Sequence, residues 1–107
     1  LASILLAQSK LGSETKELFE QALAICIRNY GPDGDRTAIG RLNFGSFYRM
    51  LAVVQPTVEI RKEHLRLSKS MIKEALRIYT KIYGPDHPRT MEVSSQLSTA
   101  ARMLSES

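Results

Sequence analysis

The chain has 107 residues, a formal net charge of +4 and 24% charged residues, which fit one globular domain and argue against a disordered or fibrous protein. A single cysteine, Cys26, excludes an internal disulfide and a cysteine-rich zinc site. The best apolar run, Leu1–Ala7, is too short to span a membrane and lacks the basic segment of a secretory signal. We therefore expect a cytoplasmic protein without membrane insertion, and the missing initiator Met predicts a piece of a longer chain.

The first third of the chain predicts helices. Leu1–Ser9 is interpreted as a helical remnant. A new helix is predicted over Glu14–Asn29, with Ser13 or Thr15 as its N-terminal cap, because apolar residues recur there at helical spacing. Gly31 follows the last periodic residue, where a helix end favours a residue with positive φ.

Three further helices follow, and nothing predicts a strand. Arg36–Leu51 resumes the helical period and contains Gly40 and Gly45. Each glycine costs about 1 kcal/mol relative to alanine inside a helix, so their presence indicates close approach of a second helix. A long helix is predicted from Thr57 to about Tyr83, and a last one over Arg89–Met103, because Gly-Pro pairs and single prolines separate these segments.

The two halves of the chain repeat each other at an offset of 53 positions. Residues 22–51 and 75–104 are identical at 12 of 30 ungapped positions. The shared segments include Tyr30–Asp33 and Tyr83–Asp86, the predicted helix ends. Duplicated units of this size usually stack so that each covers its neighbour's apolar face, which predicts a helical solenoid.

The repeated motif is Ala-Leu-x-Ile followed by Gly-Pro-Asp, present at 22–33 and, extended by His-Pro, at 75–88. It resembles the tetratricopeptide repeat of the kinesin-light-chain type. The resemblance implies an all-α, right-handed superhelix of two and a fraction helix pairs. Residues 1–107 would form a single domain with repeat units of approximately 14–51 and 57–104. Arg36–Leu51 and Arg89–Met103 would line a concave groove, and Glu14–Asn29 and Thr57–Tyr83 would form the outer wall. Leu1–Ser9 would be the end of a preceding groove helix.

The chain departs from that family in three respects. An offset of 53 exceeds the family period of about 42 residues, and we place the extra residues at the start of the unusually long outer helix, around Thr57–Leu67. The last groove helix lacks the usual Asn, Ala and Tyr, with Gln96, Ser98 and Ala101 in those places. Gly34 and Asp35 replace the His-Pro of the first linker.

The groove that the resemblance implies would bind a peptide or partner protein. The partner-binding residues that we predict there are Asn43, Ser46, Arg49, Met50, Gln96, Thr99, Arg102 and Met103. Further positions expected to face outward are Ile39, Leu42, Glu92 and Ser95. The amides suit a peptide backbone, the arginines suit acidic side chains, and the methionines suit adaptable apolar contact. The alternative interpretation is that these residues form solvated helix faces.

A basic stretch lies on the long helix, at Arg61, Lys62, Arg66, Lys69 and Lys73. Four of these cations follow a 4-3-4 spacing, which places them on one face of a helix. The face is either simply solvated or docks an acidic partner or a phosphate group. Aromatic residues for base stacking are not interleaved with the cations, so a nucleic-acid partner is not expected.

No catalytic residue, metal site or cofactor is predicted. His64 and His87 are far apart in sequence, and His87 fits a turn or capping position. Cys26 is expected in the repeat core. The chain is therefore interpreted as a non-enzymatic scaffold or adaptor. Two alternatives stay open: a structural or autoregulatory domain of a larger enzyme, and a self-association module, since a solenoid exposes apolar ends.

Overall fold

A computed structural model describes the backbone of residues 2–55 and 57–106, and the side chains of residues 13–55 and 57–106. The described chain forms four helices, α1 (Ala2–Tyr30), α2 (Asp35–Val53), α3 (Val58–Tyr83) and α4 (Pro88–Glu106). The described ranges contain no strand. The predicted all-α repeat fold is confirmed.

The start of α1 differs from the sequence prediction. Leu1 lies outside the described residues, and the rest of the segment expected to be a separate helix continues into α1, which runs unbroken from Ala2. Ser13 and Thr15 lie inside this helix, so neither caps a helix start. The prediction failed because Ser13 and Thr15, which are favoured as caps, were interpreted as a helix start, whereas such residues also occur inside helices.

The continuous α1 also changes the interpretation of the extra residues. At the offset of 53, residues 57–67 correspond to residues 4–14, and the latter segment lies within α1. The additional turns therefore belong to both outer helices. The long period is a property of the repeat in this chain and is not confined to one unit.

The ends of α1 and α3 are built alike. Gly31 and Gly84 have φ angles of +83° and +87°, as the sequence predicted for the first of them. The Gly31 amide donates a hydrogen bond to the Ile27 carbonyl at 2.9 Å, and the Gly84 amide donates to the Thr80 carbonyl at 3.0 Å. These donors and acceptors correspond at the offset of 53, so the duplication is preserved in the backbone geometry.

A threonine hydroxyl ties each following helix to the one before it. Thr37 Oγ1, at the start of α2, donates to the Cys26 carbonyl at 3.1 Å. Thr90 Oγ1, at the start of α4, donates to the Tyr79 carbonyl at 3.3 Å. Both pairs again correspond at the offset of 53, and both threonines are buried. These two hydrogen bonds fix the angle at which α2 and α4 leave the turns.

Successive helices pack against one another in the order α1, α2, α3 and α4. Buried side chains around α3 form one cluster, made of Ala38, Ile72, Ala75, Ile78, Tyr79, Val93 and Ala100. A second cluster lies between α1 and α2, where the Phe19 ring stacks on Phe44 at 5.6 Å and Phe44 stacks on Tyr48 at 4.8 Å. α2 lies between α1 and α3, and α3 lies between α2 and α4, so these two are the inner helices of the stack.

Glycine permits the close contact between α2 and α3. A β-carbon built on Gly45 would lie 2.9 Å from Ile72 Cγ1 and 3.2 Å from the Ser68 carbonyl oxygen. At Gly40 the nearest atom, Leu23 Cδ1, would be 3.5 Å away, which is ordinary van der Waals contact. The expected close approach therefore occurs at Gly45, whereas Gly40 leaves room for a methyl group.

Candidate partner-binding surface

The predicted binding residues of α2 differ in exposure. Met50 is 70% exposed and Asn43 is exposed, while Ser46 and Arg49 are half-buried. Leu42 was expected to face outward, but it is half-buried and packs against the core cluster around α3. Leu42 therefore contributes to the core, whereas its polar neighbour Asn43 faces solvent.

The corresponding residues of α4 are less open. Arg102 is exposed, whereas Gln96, Thr99 and Met103 are half-buried. The Thr99 hydroxyl donates a hydrogen bond to the Ser95 carbonyl at 3.1 Å, within the same helix. Its proton is therefore already used, so a partner would find only an acceptor at Thr99.

Met103 lies at a corner of the molecule that the sequence did not single out. It lines a pocket of about 210 Å³ where the end of α2, the first turns of α3 and the end of α4 meet. The other lining residues are Ala52, Val53, Arg61, Leu65 and Glu106. Because Arg61 and Leu65 belong to the extra turns of α3, this pocket depends on the lengthened helix.

Some basic side chains form ion pairs with carboxylates in the described residues, and others do not. In the described part of the chain, Arg77 and Lys81 form ion pairs with the Asp33 carboxylate at 2.7 and 3.0 Å. The two arginines of the predicted surface, Arg49 and Arg102, have no ion pair within 4.0 Å among those residues. Both guanidinium groups therefore remain available for a carboxylate of a partner.

The basic stretch at the start of α3 is also without ion pairs in the described residues. Arg66 and Lys73 are exposed, and Lys62 and Lys69 are half-buried. The second half of the same helix is neutralised by Asp33 and by Glu74, whose Oε1 accepts from Arg77 Nη2 at 2.5 Å. Glu59 and Glu63 offset two of the three cations in residues 57–67, so the net positive charge of this stretch extends through Lys69 and Lys73.

Asp33 is a residue whose role sequence reasoning missed. It was regarded only as part of a linker, but it joins the turn between α1 and α2 to the far half of α3. Hydrogen bonds from Arg77, and then from Lys81, hold the pKa of the Asp33 carboxyl below its ordinary value. No local signal could have identified this contact, because Asp33 and Arg77 are 44 positions apart.

The two histidines and the cysteine take part in packing or in capping a helix. His87 Nδ1 accepts a hydrogen bond from the Arg89 amide at 3.1 Å, so His87 caps α4 as the sequence predicted. His64 is half-buried, and its ring meets the Tyr48 ring edge-on at 6.0 Å. Cys26 is half-buried. Among the described side chains, no group of three metal-ligating residues comes together.

Residues 68–89, from the middle of α3 to the start of α4, match a family model described as tetratricopeptide repeat. Comparison of the chain with curated proteins gave no match, and neither did comparison with solved structures. No helix in the described part has the length and apolar character needed to cross a membrane. The match supports a tetratricopeptide repeat at the junction of α3 and α4, a family that generally mediates contacts between proteins.

Proposed function

We propose that this chain is a protein-interaction module that binds an acidic peptide or partner segment along the face carried by α2 and α4. The contact residues would be Asn43, Ser46, Arg49, Met50, Gln96, Thr99, Arg102 and Met103. The observation that carries the proposal is the repetition of an arginine followed by a methionine at corresponding positions of α2 and α4, with neither guanidinium paired within the described residues. The likeness of the repeat motif to the kinesin-light-chain type supports an adaptor role, and a cytoplasmic location stays a prediction.

The mechanism requires no movement of the helices. An extended partner would place carboxylates against Arg49 and Arg102, where the planar guanidinium groups can form bidentate hydrogen bonds with them. The exposed thioether of Met50 would cover an apolar side chain between them, since methionine adapts to different shapes. The amide of Asn43 would bind the partner's backbone.

A peptide panel tests the proposal. Fluorescence anisotropy would measure binding of labelled synthetic peptides of about 12 residues, with four glutamates and one or two leucines. Peptides with glutamine in place of glutamate would be the uncharged control. We expect the acidic peptides to bind at least tenfold more tightly. A rise in salt from about 50 to 500 mM should weaken them, because exposed ion pairs are screened.

Variants localise the site. Asn43→Ala with Arg49→Ala should weaken the acidic peptides about tenfold, and so should Arg102→Ala combined with Gln96→Ala. Arg66→Ala is the matched control, because it removes an exposed cation from α3 and leaves the α2 and α4 face intact. Equal binding by the wild type and both double variants would refute the proposal. A loss caused by Arg66→Ala alone would move the site to the basic stretch of α3.

A further inference from the structure

One side of α3 carries a row of four cations, Lys62, Arg66, Lys69 and Lys73, which we name the basic stripe. Its members follow one another at intervals of four, three and four residues, so they lie on one side of the helix over a length of about 16 Å. None of the four forms an ion pair in the part of the chain that the structure describes. The stripe is therefore a linear array of positive charge that the described residues do not neutralise.

The basic stripe lowers the stability of its own helix. Like charges three or four positions apart are neighbours on a helix surface and repel each other. The positions in α1 that correspond to Lys69 and Lys73 are occupied by Lys16 and Glu20, whose side chains form an ion pair at 3.9 Å. Because the two outer helices differ at these positions, the stripe is a feature of α3 and does not come from the repeat.

The exposure of the stripe does not depend on where the sequence ends. Ser13, Lys16 and Glu20 of α1 correspond to three of its members, at the offset of 53. All three are exposed, although α1 is followed by another pair of helices. A further pair of helices after α4, placed in the same way, would leave the stripe equally open.

The acidic residues of α3 restrict the shape of the anion that fits. Each residue turns a helix by about 100°, so Glu59 and Glu63 lie about 50° and about 90° to one side of the mean direction of the stripe. A broad anionic surface, such as a membrane, would meet these carboxylates as well as the cations. Residues 57–78 contain no Phe, Tyr or Trp on which the bases of a single nucleic-acid strand could stack. A narrow acidic polypeptide that lies along the stripe avoids both carboxylates.

A helix matches the spacing of the stripe better than an extended segment does. Carboxylates at intervals of four, three and four residues of a second helix recur at the same heights as the cations, because both helices rise about 1.5 Å per residue. Side chains on one face of an extended strand are roughly 6.7 Å apart, so four of them span about 20 Å and fall out of step. Val58, which is 44% exposed and lies one turn before Lys62, adds an apolar contact at one end.

We infer that the basic stripe of α3 binds an acidic helix of a partner protein. That helix carries glutamate or aspartate at intervals of four, three and four residues, and an apolar residue one turn beyond, against Val58. Its carboxylates relieve the repulsion between the cations of the stripe. The stripe is separate from the face of α2 and α4, so the inference does not depend on the proposed function.

Two synthetic peptides of about 20 residues, with the same composition, are the probes. The matched peptide has four glutamates at intervals of four, three and four, with a leucine one turn beyond each end. The control peptide has its glutamates at every second position, which divides them between opposite sides of a helix. Short helices are marginal in water, so both peptides carry a hydrocarbon staple, and circular dichroism verifies their helicity.

A nuclear magnetic resonance titration of the isotope-labelled chain measures binding and locates it. In about 50 mM salt, the matched peptide should bind about fivefold more tightly than the control, which can form only half of the ion pairs at one time. The shifted amide signals should centre on residues 58–73. Salt at about 500 mM should weaken the binding, because these side chains are exposed or half-buried.

Variants assign the binding to the stripe. Lys62→Ala with Lys69→Ala should weaken the matched peptide about fivefold. Lys16→Ala with Arg28→Ala is the matched control, because it removes the same charge from exposed positions of α1. Asn43→Ala with Arg49→Ala should leave the helical peptide unaffected, so failure at the α2 and α4 face is distinguishable from failure here.

Lys73→Glu separates binding from simple solvation of the stripe. It places at position 73 the residue that α1 has at the corresponding position, Glu20. The variant should unfold at a higher temperature, because it removes a repulsion along the helix, and should bind the matched peptide more weakly. A higher melting temperature with unchanged peptide binding would overturn the inference.

Three further results would overturn it. The first is equal binding of the matched and control peptides, which would mean that only net charge matters. The second is equal binding of the matched peptide by the wild type and by the Lys62→Ala, Lys69→Ala variant. The third is no binding of the matched peptide at about 1 mM, with or without binding of anionic vesicles or of a short RNA in the same buffer.

Discussion

The Ser68 hydroxyl donates a 2.7 Å hydrogen bond to the backbone carbonyl of Gly45, across the interface between α3 and α2. Both residues are buried, so the hydroxyl has no access to water there. A serine inside a helix usually bonds to its own helix, but here it bonds to a neighbour because glycine exposes its carbonyl. This contact sets the distance between the helix that carries half of the candidate surface and the helix that supports it.

Gly45→Ala should destabilise the chain by about 1–2 kcal/mol. The added methyl group meets Ile72 Cγ1 at 2.9 Å, and overpacking of this kind costs about 1–3 kcal/mol. The better helix propensity of alanine returns up to about 1 kcal/mol. Urea unfolding followed by circular dichroism would measure the difference.

Gly40→Ala is the matched control on the same helix, and we expect it to increase the free energy of unfolding. Its new methyl group finds Leu23 Cδ1 at 3.5 Å and Cys26 Sγ at 3.8 Å, both ordinary contacts. The gain in helix propensity, up to about 1 kcal/mol, should then appear as added stability. A loss of stability in both variants would show that Gly45 is not specially placed.

Thr37→Val should cost about 1–2 kcal/mol, and Thr90→Val less. Valine has nearly the shape of threonine but leaves the buried acceptors without their donor. The single hydroxyl proton of Thr37 is shared between the Gly31 carbonyl at 2.7 Å and the Cys26 carbonyl at 3.1 Å, whereas Thr90 makes one longer bond to Tyr79. Urea midpoints would rank the two variants, and Thr37→Ser, which keeps the hydroxyl, should recover part of the loss.

The sequence predicted most of the fold because the decisive signals are local. Helical periodicity and Gly-Pro pairs gave α2, α3 and α4 to within three residues at each end, and the internal repeat indicated that they stack. The start of α1 was predicted wrongly because Ser13 and Thr15, which lie inside the helix, were interpreted as its N-terminal cap. Contacts between distant residues, such as Asp33 with Arg77, depend on how the helices pack and leave no local trace.

The candidate surface could be predicted only in outline. The sequence shows that Arg49 and Met50 recur as Arg102 and Met103. It does not show that Met50 and Arg102 are exposed while Arg49 and Met103 are half-buried. Helical periodicity alone could not separate Leu42, which packs in the core, from its outward neighbours.

His87→Ala should lower stability by about 0.5–1 kcal/mol. The ring nitrogen Nδ1 accepts from the Arg89 amide at 3.1 Å, and loss of such a cap leaves a first-turn donor without a protein partner. His87→Ser, which supplies a capping oxygen, should be at least as stable as the wild type. Thermal unfolding of the two variants tests this, and equal melting temperatures for His87→Ala and the wild type would contradict it.

The cap has no counterpart at the start of α2. Gly34 stands at the corresponding position and makes no side-chain hydrogen bond. A β-carbon there would lie 2.5 Å from the Tyr30 carbonyl oxygen, so Gly34→Ser should destabilise the chain despite the good capping preference of serine. Thermal unfolding should therefore show that serine is tolerated at position 87 and lowers the melting temperature at position 34.

Acid should remove the contribution of Asp33 to stability. Arg77, followed by Lys81, lowers the pKa of this carboxyl in the folded chain below its ordinary value of 3.8. A carboxyl whose pKa is lower when folded stabilises the fold above its unfolded pKa, and the effect is lost as the pH falls through the folded pKa. The melting temperature of the wild type should therefore exceed that of Asp33→Asn near pH 7, and the gap should close below about pH 4.

The effect of Asp33→Asn should also depend on salt, and the carboxyl of Glu74 should contribute its own acid sensitivity. Because Asp33, Arg77 and Lys81 are all exposed or half-exposed, the gap at pH 7 should be small and should shrink further in about 1 M salt. Glu74 also has a lowered pKa, mainly through its hydrogen bond from Arg77, so Asp33→Asn should leave part of the acid sensitivity in place. An unchanged gap between pH 7 and pH 3 would show that asparagine alters packing, and that the charge of Asp33 does not stabilise the junction.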